Sequence, residues 1–223
     1  MTTTLITGAN RGLGLEFARQ SVAAGDTVYA GCRHPSDADD LNAIDSDRLH
    51  VLTLDVADDA SIATAIDQVT GPIDRFINNA GIYGGDDQAV DKLDSQIAAD
   101  VYRVNVIGPL MLLQAAASRL AADARVLTVS SGYGSIEQSG GGWPIMYCCS
   151  KAAVNMFSAI IGQAWPDRVV VAISPGWVRT DMGGDDADLA PEESVRGMLE
   201  TLSKLTPADS GGFFDYRGER KPW

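Results

Sequence analysis

Thr7-Gly8-Ala9-Asn10-Arg11-Gly12-Leu13-Gly14 follows the first apolar run, Leu5-Ile6-Thr7, and opens a helical pattern from Leu13 to Ala24. A short strand, a glycine-rich turn and an amphipathic helix in that order place backbone N–H groups and the positive end of a helix dipole at one point, where a pyrophosphate binds. Gly8 allows the tight turn, Gly12 lets a phosphate approach the backbone, and Gly14 lets the helix lie close to the sheet. The spacing is GxxxGxG, not the commoner GxGxxG.

The same alternation runs outward to the other end of the chain. Strands are expected at Thr27–Cys32, His50–Leu54, Arg75–Asn78, Ala124–Ser130, Val169–Ser174 and Gly212–Asp215. Helices are expected at Ser61–Val69, Tyr147–Trp165 and Pro191–Leu202, with one long helix over Leu93–Leu120, tilted or interrupted near Gly108-Pro109 because proline removes a helix donor. Pro191 at the first helical position and Glu192 and Glu193 in the first turn suit a helix start. Strands separated by helices imply βαβ units and a parallel sheet covered on both faces. No repeat, low-complexity tract or linker divides the chain, so residues 1–223 read as one doubly wound α/β domain.

Composition narrows the function. Of 223 residues, 45% are apolar and 21% charged, which excludes a disordered or fibrous chain. A net charge of −13 with no Lys/Arg run argues against nucleic acid and against an anionic membrane surface. Cys32, Cys148 and Cys149 form no disulfide framework and, with only His34 and His50, no zinc motif. Asp185-Asp186-Ala187-Asp188 lacks the ligand spacing of a calcium loop, so no metal site is expected. No signal-peptide pattern and no long uninterrupted apolar stretch is present, which leaves the cytoplasm as the expected location.

Two further groups of residues carry chemistry. Where the second strand ends, an acid would bind the ribose 2′-hydroxyl of NAD, but Cys32 and Arg33 stand there. Arg33, with Arg11 from the turn, suits a 2′-phosphate, so NADP(H) is expected in preference to NAD(H). Tyr147 and Lys151 lie four residues apart on one helix face, and Ser130 and Ser131 end the preceding strand. A nearby ammonium favours phenolate and is expected to lower the tyrosine pKa, while a serine hydroxyl holds a carbonyl oxygen. Together they form an acid/base site for carbonyl reduction or alcohol oxidation.

These motifs in order, with Asn78-Asn79-Ala80-Gly81, Asn105 and Pro175-Gly176, resemble the short-chain dehydrogenase/reductase family over nearly the whole chain. The resemblance implies a Rossmann-type three-layer sandwich with a seven-stranded parallel sheet and hydride transfer between a nicotinamide and a carbonyl or alcohol. It implies Tyr147 as acid/base, Ser131 orienting the substrate oxygen, Lys151 holding the ribose and lowering the tyrosine pKa, and Asn105 holding a water in a proton relay. For the cofactor it implies Gly8, Asn10, Arg11, Gly12 and Leu13 in the turn, Arg33, and Asp55 and Val56 beside the adenine. Asn79, Ala80 and Gly81 would line it, with Tyr147 and Lys151, and Pro175, Gly176, Val178 and Thr180 would lie at the nicotinamide end. It also implies a homodimer or homotetramer through the Leu93–Leu120 and Ala152–Ile161 helices, with a monomer as the alternative because of Asp94, Asp100 and Arg103. The stretch Ser174 to Gly184 and the ending Gly212 to Trp223 are similar to the C-factor-like and sniffer-type carbonyl reductases, mostly NADPH-linked.

Two departures stand out. Ser131 and Tyr147 are sixteen residues apart, longer than the usual family spacing, and Ser135 is the competing serine. Only Asp181 to Ala190 separate Thr180 from the next helix, so an open pocket for small or varied carbonyl substrates is expected. Cys148 and Cys149 read as helix packing residues, and Trp143 and Trp177 as core or pocket wall. A non-catalytic dinucleotide-binding signalling or regulatory protein is the second functional class. The complete set Asn105, Ser131, Tyr147 and Lys151 weighs against it, since a sensor needs no proton-transfer group.

Overall fold

β1 (Thr3–Thr7) sends alternate side chains to opposite faces, and both faces are dry: Leu5 and Ile6 are each fully buried. The computed structural model describes residues 2–85 and 87–223. After β1 come α1 (Gly12–Ala23), β2 (Thr27–Cys32), a short α2 (Asp39–Asn42), β3 (Leu49–Thr53), α3 (Asp59–Gln68) and β4 (Ile73–Asn78). The second half holds α4 (Ser95–Tyr102), α5 (Gly108–Ala116), β5 (Leu120–Val129), α6 (Ile145–Ala164), β6 (Val169–Ser174), α7 (Pro191–Lys204) and β7 (Phe213–Asp215).

The strands form one seven-stranded parallel sheet in the order β3-β2-β1-β4-β5-β6-β7. Period-two alternation divides the core. Ile6, Ile77, Leu127 and Val171 pack under α1 and α7 with Phe17, Val195 and Met198. Leu5, Phe76, Val126 and Val170 pack under α3, α5 and α6 with Ile66, Leu112 and Phe157. The strand order reverses between β1 and β4, which opens a crevice beyond their C-terminal ends.

The expected helix over Leu93–Leu120 is three pieces: α4, a π-helical turn at Arg103–Ile107, and α5. Leu120 already belongs to β5. The break has a local cause. Pro109 has no N–H, so the Asn105 carbonyl four residues before it receives no α-helical donor. The outward side chains of α4, the π turn and α6 include Ile97, Ile107, Met156 and Ile160, all exposed. By length and hydropathy α6 matches a membrane span, yet one face packs on β6 and buries Tyr147, Ser150, Lys151 and Asn155.

α7 ends under β5. Arg125 donates to the carbonyls of Leu202 (2.5 Å) and Leu205 (2.8 Å), which the helix leaves without partners at its C-terminus. Arg125→Met should therefore lower stability by about 1–3 kcal/mol, the usual worth of charged hydrogen bonds. Urea unfolding measures it, and an unchanged midpoint would show that the two carbonyls need no cap.

Candidate active site

The cradle at the end of β1 is held by its neighbour strand. Asn79, just past β4, donates its side-chain amide to the carbonyls of Thr7 (2.9 Å) and Gly8 (3.2 Å). The Thr7 hydroxyl accepts from the backbone of Asn79 and Ala80, both at 3.0 Å. Gly8 and Gly12 have φ of +65° and +53°, in the left-handed region that side chains avoid. A side chain at Gly14 would collide with the Gly8 carbonyl. α1 has Arg11 at its N-cap, with no side-chain capping bond and no acid in its first turn, so its N-terminal N–H groups and dipole face the crevice unopposed.

A cleft of about 520 Å³ runs from this cradle across the sheet ends. Gly8, Asn10, Arg11, Gly12 and Leu13 line its middle. Arg33, Asp55 and Val56 line one end, joined by His34 and Asp37, which the sequence reading missed. Both belong to the connection after β2, where a short 3-10 turn at Pro35–Asp37 folds over the strand end. Arg33 has no ion-pair partner among the described residues. Asn79, Ala80, Gly81, Tyr147, Lys151, Pro175 and Thr180 line the other end. Gly176 and Val178 are not on its wall. Gly176, at φ +82°, turns the chain after β6, and Val178 is buried in a bridge to Leu189. Arg11 and Asp181 form an exposed ion pair at the cleft. The residues fit a dinucleotide: a glycine cradle under an uncapped helix N-terminus for the pyrophosphate, and the unpaired Arg33 where a 2′-phosphate would lie.

Tyr147 and Lys151 sit one turn apart on α6, both buried. Lys151 Nζ donates to the Val129 carbonyl at 2.8 Å and lies 5.6 Å from the centre of the Tyr147 ring. Asn105, carried by the π turn, accepts from the Ile82 N–H (2.8 Å) and donates to the Ile82 carbonyl (2.9 Å) and Ser150 Oγ (3.0 Å). Its side chain is thereby committed to bracing the segment after β4 against α6. A Cβ on Gly81 would sit 3.3 Å from Asn105 Oδ1 and 3.7 Å from Lys151 Nζ, so the absent side chain keeps these two groups accessible to each other.

Of the two candidate serines, Ser131 is the one that bears on the tyrosine: it draws the phenol's pKa down against burial, and its hydroxyl accepts from the Tyr133 N–H at 3.1 Å. Ser135 is buried and turned away, donating to the Trp223 carbonyl at 3.1 Å. The phenol departs from expectation in its acidity. Burial pushes Tyr147 up to about 12, assisted by the Tyr83 and Tyr133 phenols, and the Ser131 hydrogen bond only partly offsets this. Lys151 is not among the groups that offset the burial of the phenol, and burial brings its own ammonium down to about 8.

The rings of Tyr83, Tyr133 and Trp143 gather around Tyr147: Tyr83 at 5.0 Å, Tyr133 edge-on at 6.3 Å, and Trp143 against Tyr133 at 4.5 Å. Trp143 is thus a pocket wall, whereas Trp177 is half exposed and donates to the Gly183 carbonyl at 2.7 Å. The Tyr147 hydroxyl points toward Met182 Sδ at 3.9 Å. Met182 lies in the Ser174–Gly184 stretch but is not among the expected site residues; nor is Gln88, which is buried and accepts from the Tyr147 N–H at 3.0 Å. Gln88 belongs to no recognisable spacing.

Comparison with known proteins agrees with this arrangement. The short chain dehydrogenase family model matches residues 2–189. C-signal of Myxococcus xanthus is 41% identical over 165 residues, covering 72% of this chain and 99% of that protein. The NADPH-bound carbonyl reductase from chicken fatty liver superposes with a TM-score of 0.94 at 35% identity, covering 100% of this chain and 99% of that one. Carbonyl reductase Sniffer of D. melanogaster does so at 0.94 and 29%, covering 100% of both. With an intact strand–turn–helix cradle, a seven-stranded parallel sheet and these relatives, the chain belongs to the short-chain dehydrogenase/reductase family, on the branch of C-signal and the Sniffer-like carbonyl reductases.

Proposed function

We propose that this protein is an NADPH-dependent oxidoreductase that interconverts a carbonyl and an alcohol, with Tyr147 as the proton-transfer group. The observation that carries the reading is the placing of Tyr147 and Lys151, one helical turn apart, at one end of a dinucleotide-shaped cleft. NADPH, when bound, supplies the hydride. Gly8, Gly12 and the α1 N-terminus hold its pyrophosphate, with Arg33 at the 2′-phosphate and Lys151 at the ribose near the reacting end.

Tyr147 remains protonated throughout the neutral range, because its pKa lies near 12. It therefore meets a carbonyl oxygen as a hydrogen-bond donor and gives up its proton as negative charge develops there. Ser131 donates a second hydrogen bond to the same oxygen. Below about pH 8 Lys151 is an ammonium and stabilises the phenolate left behind. The Asn105 carbonyl, deprived of its helical donor by Pro109, is an acceptor for a water that returns the proton. A phenol that is protonated at neutral pH is in the form that reduction uses, whereas alcohol oxidation would need the phenolate. Similarity to C-signal supports a second reading, a dinucleotide-binding signalling protein with no turnover.

Removing the phenol oxygen separates the two readings. Tyr147→Phe should lower kcat for NADPH-linked ketone reduction by about 10²–10⁴-fold while NADPH affinity changes little. Retention of more than about a third of wild-type kcat would remove Tyr147 as proton donor, and no NADPH consumption by the wild type across ketones, aldehydes and quinones would favour the signalling reading.

Cofactor choice is read from the end of β2. NADPH should give at least about tenfold higher kcat/KM than NADH, and Cys32→Asp with Arg33→Ala should narrow or reverse the ratio. Equal use of both by the wild type would defeat the assignment.

The depressed lysine has a signature in stability. Between about pH 8 and 10.5 the unfolded chain holds a proton on Lys151 that the folded chain has released. Stability arising from this group therefore rises with pH across that window, and below it the fold carries the full cost of a buried charge. Urea unfolding at pH 7.5 and 9.5 should show wild type gaining stability relative to Lys151→Met. A constant difference between them would mean that Lys151 titrates alike in both states.

A further inference from the structure

α6 starts without a cap of its own. Its N-cap is Pro144, which has no side-chain acceptor and makes no capping bond. The N–H groups of the first helical turn have no acceptor within the helix. Tyr147 is the third residue of that turn, so its backbone N–H is one of these orphans. Serine, threonine, aspartate or asparagine at position 144 would satisfy it locally.

The acceptor comes instead from 59 residues away. Gln88 is 5% exposed, and its Oε1 accepts from the Tyr147 N–H at 3.0 Å. Its Nε2 donates to the carbonyls of Tyr83 (2.7 Å) and Gly85 (2.9 Å). One donor and two carbonyls leave a single orientation of the amide that satisfies all three. The carbonyls belong to a segment pressed against α4: a side chain on Gly84 would meet Val101 Cγ2 at 2.5 Å, and Val101 is fully buried. Gln88 thus hangs on a fixed frame and grips the backbone of the one residue whose phenol must meet the reacting oxygen. The Tyr83 carbonyl it grips belongs to a residue whose ring lies 5.0 Å from the Tyr147 ring.

We propose that Gln88 is a positioning residue for proton transfer: its side-chain amide replaces the missing N-cap of α6 and locks the Tyr147 backbone to the Tyr83–Gly85 segment. This rests on Tyr147 being the proton donor. Gln88 does not line the nucleotide cleft but a neighbouring hollow with Tyr83 and Trp143, and in this assignment it does not touch the reacting atoms. Its effect passes through the aim of the phenol, where a displacement of about 1 Å costs on the order of 10²-fold in rate.

The test compares kcat with NADPH affinity measured by fluorescence titration. Gln88→Ala should lower kcat about tenfold or more and leave the NADPH Kd within about twofold, since the glycine cradle is untouched. Adding Pro144→Ser should restore most of kcat, because a serine at the N-cap offers its own oxygen to the same N–H without rebuilding the link to Tyr83 and Gly85. In a Tyr147→Phe background, Gln88→Ala should lower kcat no further. If Gln88→Ala does not fold, Gln88→Met, of similar length but without a comparable acceptor, takes its place in the same comparison. A kcat within twofold of wild type, an equal loss of NADPH affinity, failure of Pro144→Ser to rescue, or failure of both Gln88 variants to fold would each overturn the assignment. Active Tyr147→Phe would instead bring down the proton-donor reading on which it rests. A dead Tyr147→Phe beside a fully active Gln88→Ala would bring down this inference alone.

Discussion

The fastening of β4 to β1 through Thr7 and Asn79 is the contact on which the rest depends. Four hydrogen bonds join the ends of the two strands at the point where the sheet changes direction. They hold the Gly8 carbonyl in place, and against that carbonyl α1 can lie only because residue 14 has no side chain. The helix N-terminus is therefore aimed into the crevice by close packing of backbone on backbone. Such an approach is rigid, since a folded interior has little free space to absorb displacement. The same β4 end leads into Gly81, beside which lie Asn105 Oδ1 and Lys151 Nζ. One fastening thus sets both the glycine-cradle end and the Tyr147–Lys151 end of the cleft.

At the second end, burial competes with charge. Water would solvate the phenolate of Tyr147 and the ammonium of Lys151 equally well. Inside the fold both charged forms are disfavoured, so the phenol is driven up and the lysine down. The cleft therefore contains a phenol that keeps its proton and an ammonium that holds its charge only weakly. A negative charge brought beside Lys151 would restore the ammonium, while it would disfavour the phenolate further. The open aromatic wall of Tyr83, Tyr133 and Trp143 supplies area for a substrate but no ion pair to anchor a charged one.

Most of the fold was legible because its determinants are local or periodic. Thr27–Cys32 and Val169–Ser174 match their strands residue for residue, since unbroken apolar runs bounded by turns define a buried parallel strand. The helix over Leu93–Leu120 was read too long. A single proline shifts hydrogen-bond register without interrupting the apolar pattern, so periodicity continues through the π turn and into β5. The small α2 and the turn before it escaped notice because four residues carry no measurable period.

The candidate site divides along the same line. Gly8 to Gly14, Tyr147 and Lys151 were readable from sequence alone, because a turn's φ values and the one-turn spacing of a helix are properties of neighbouring residues. Which serine meets Tyr147 was not, because Ser131 and Ser135 lie in one short segment whose course decides which hydroxyl faces the phenol. Nor was the direction of the tyrosine's pKa, since burial is a sum over surroundings drawn from several elements. Gln88 is the extreme case: its bond to Tyr147 spans 59 residues. The strand–turn–helix cradle and the Tyr147–Lys151 pair can be read along the chain, because short-range stereochemistry specifies both. Tertiary structure alone decided how that tyrosine is aimed, insulated and held, because those depend on packing between segments that meet only once the chain has folded.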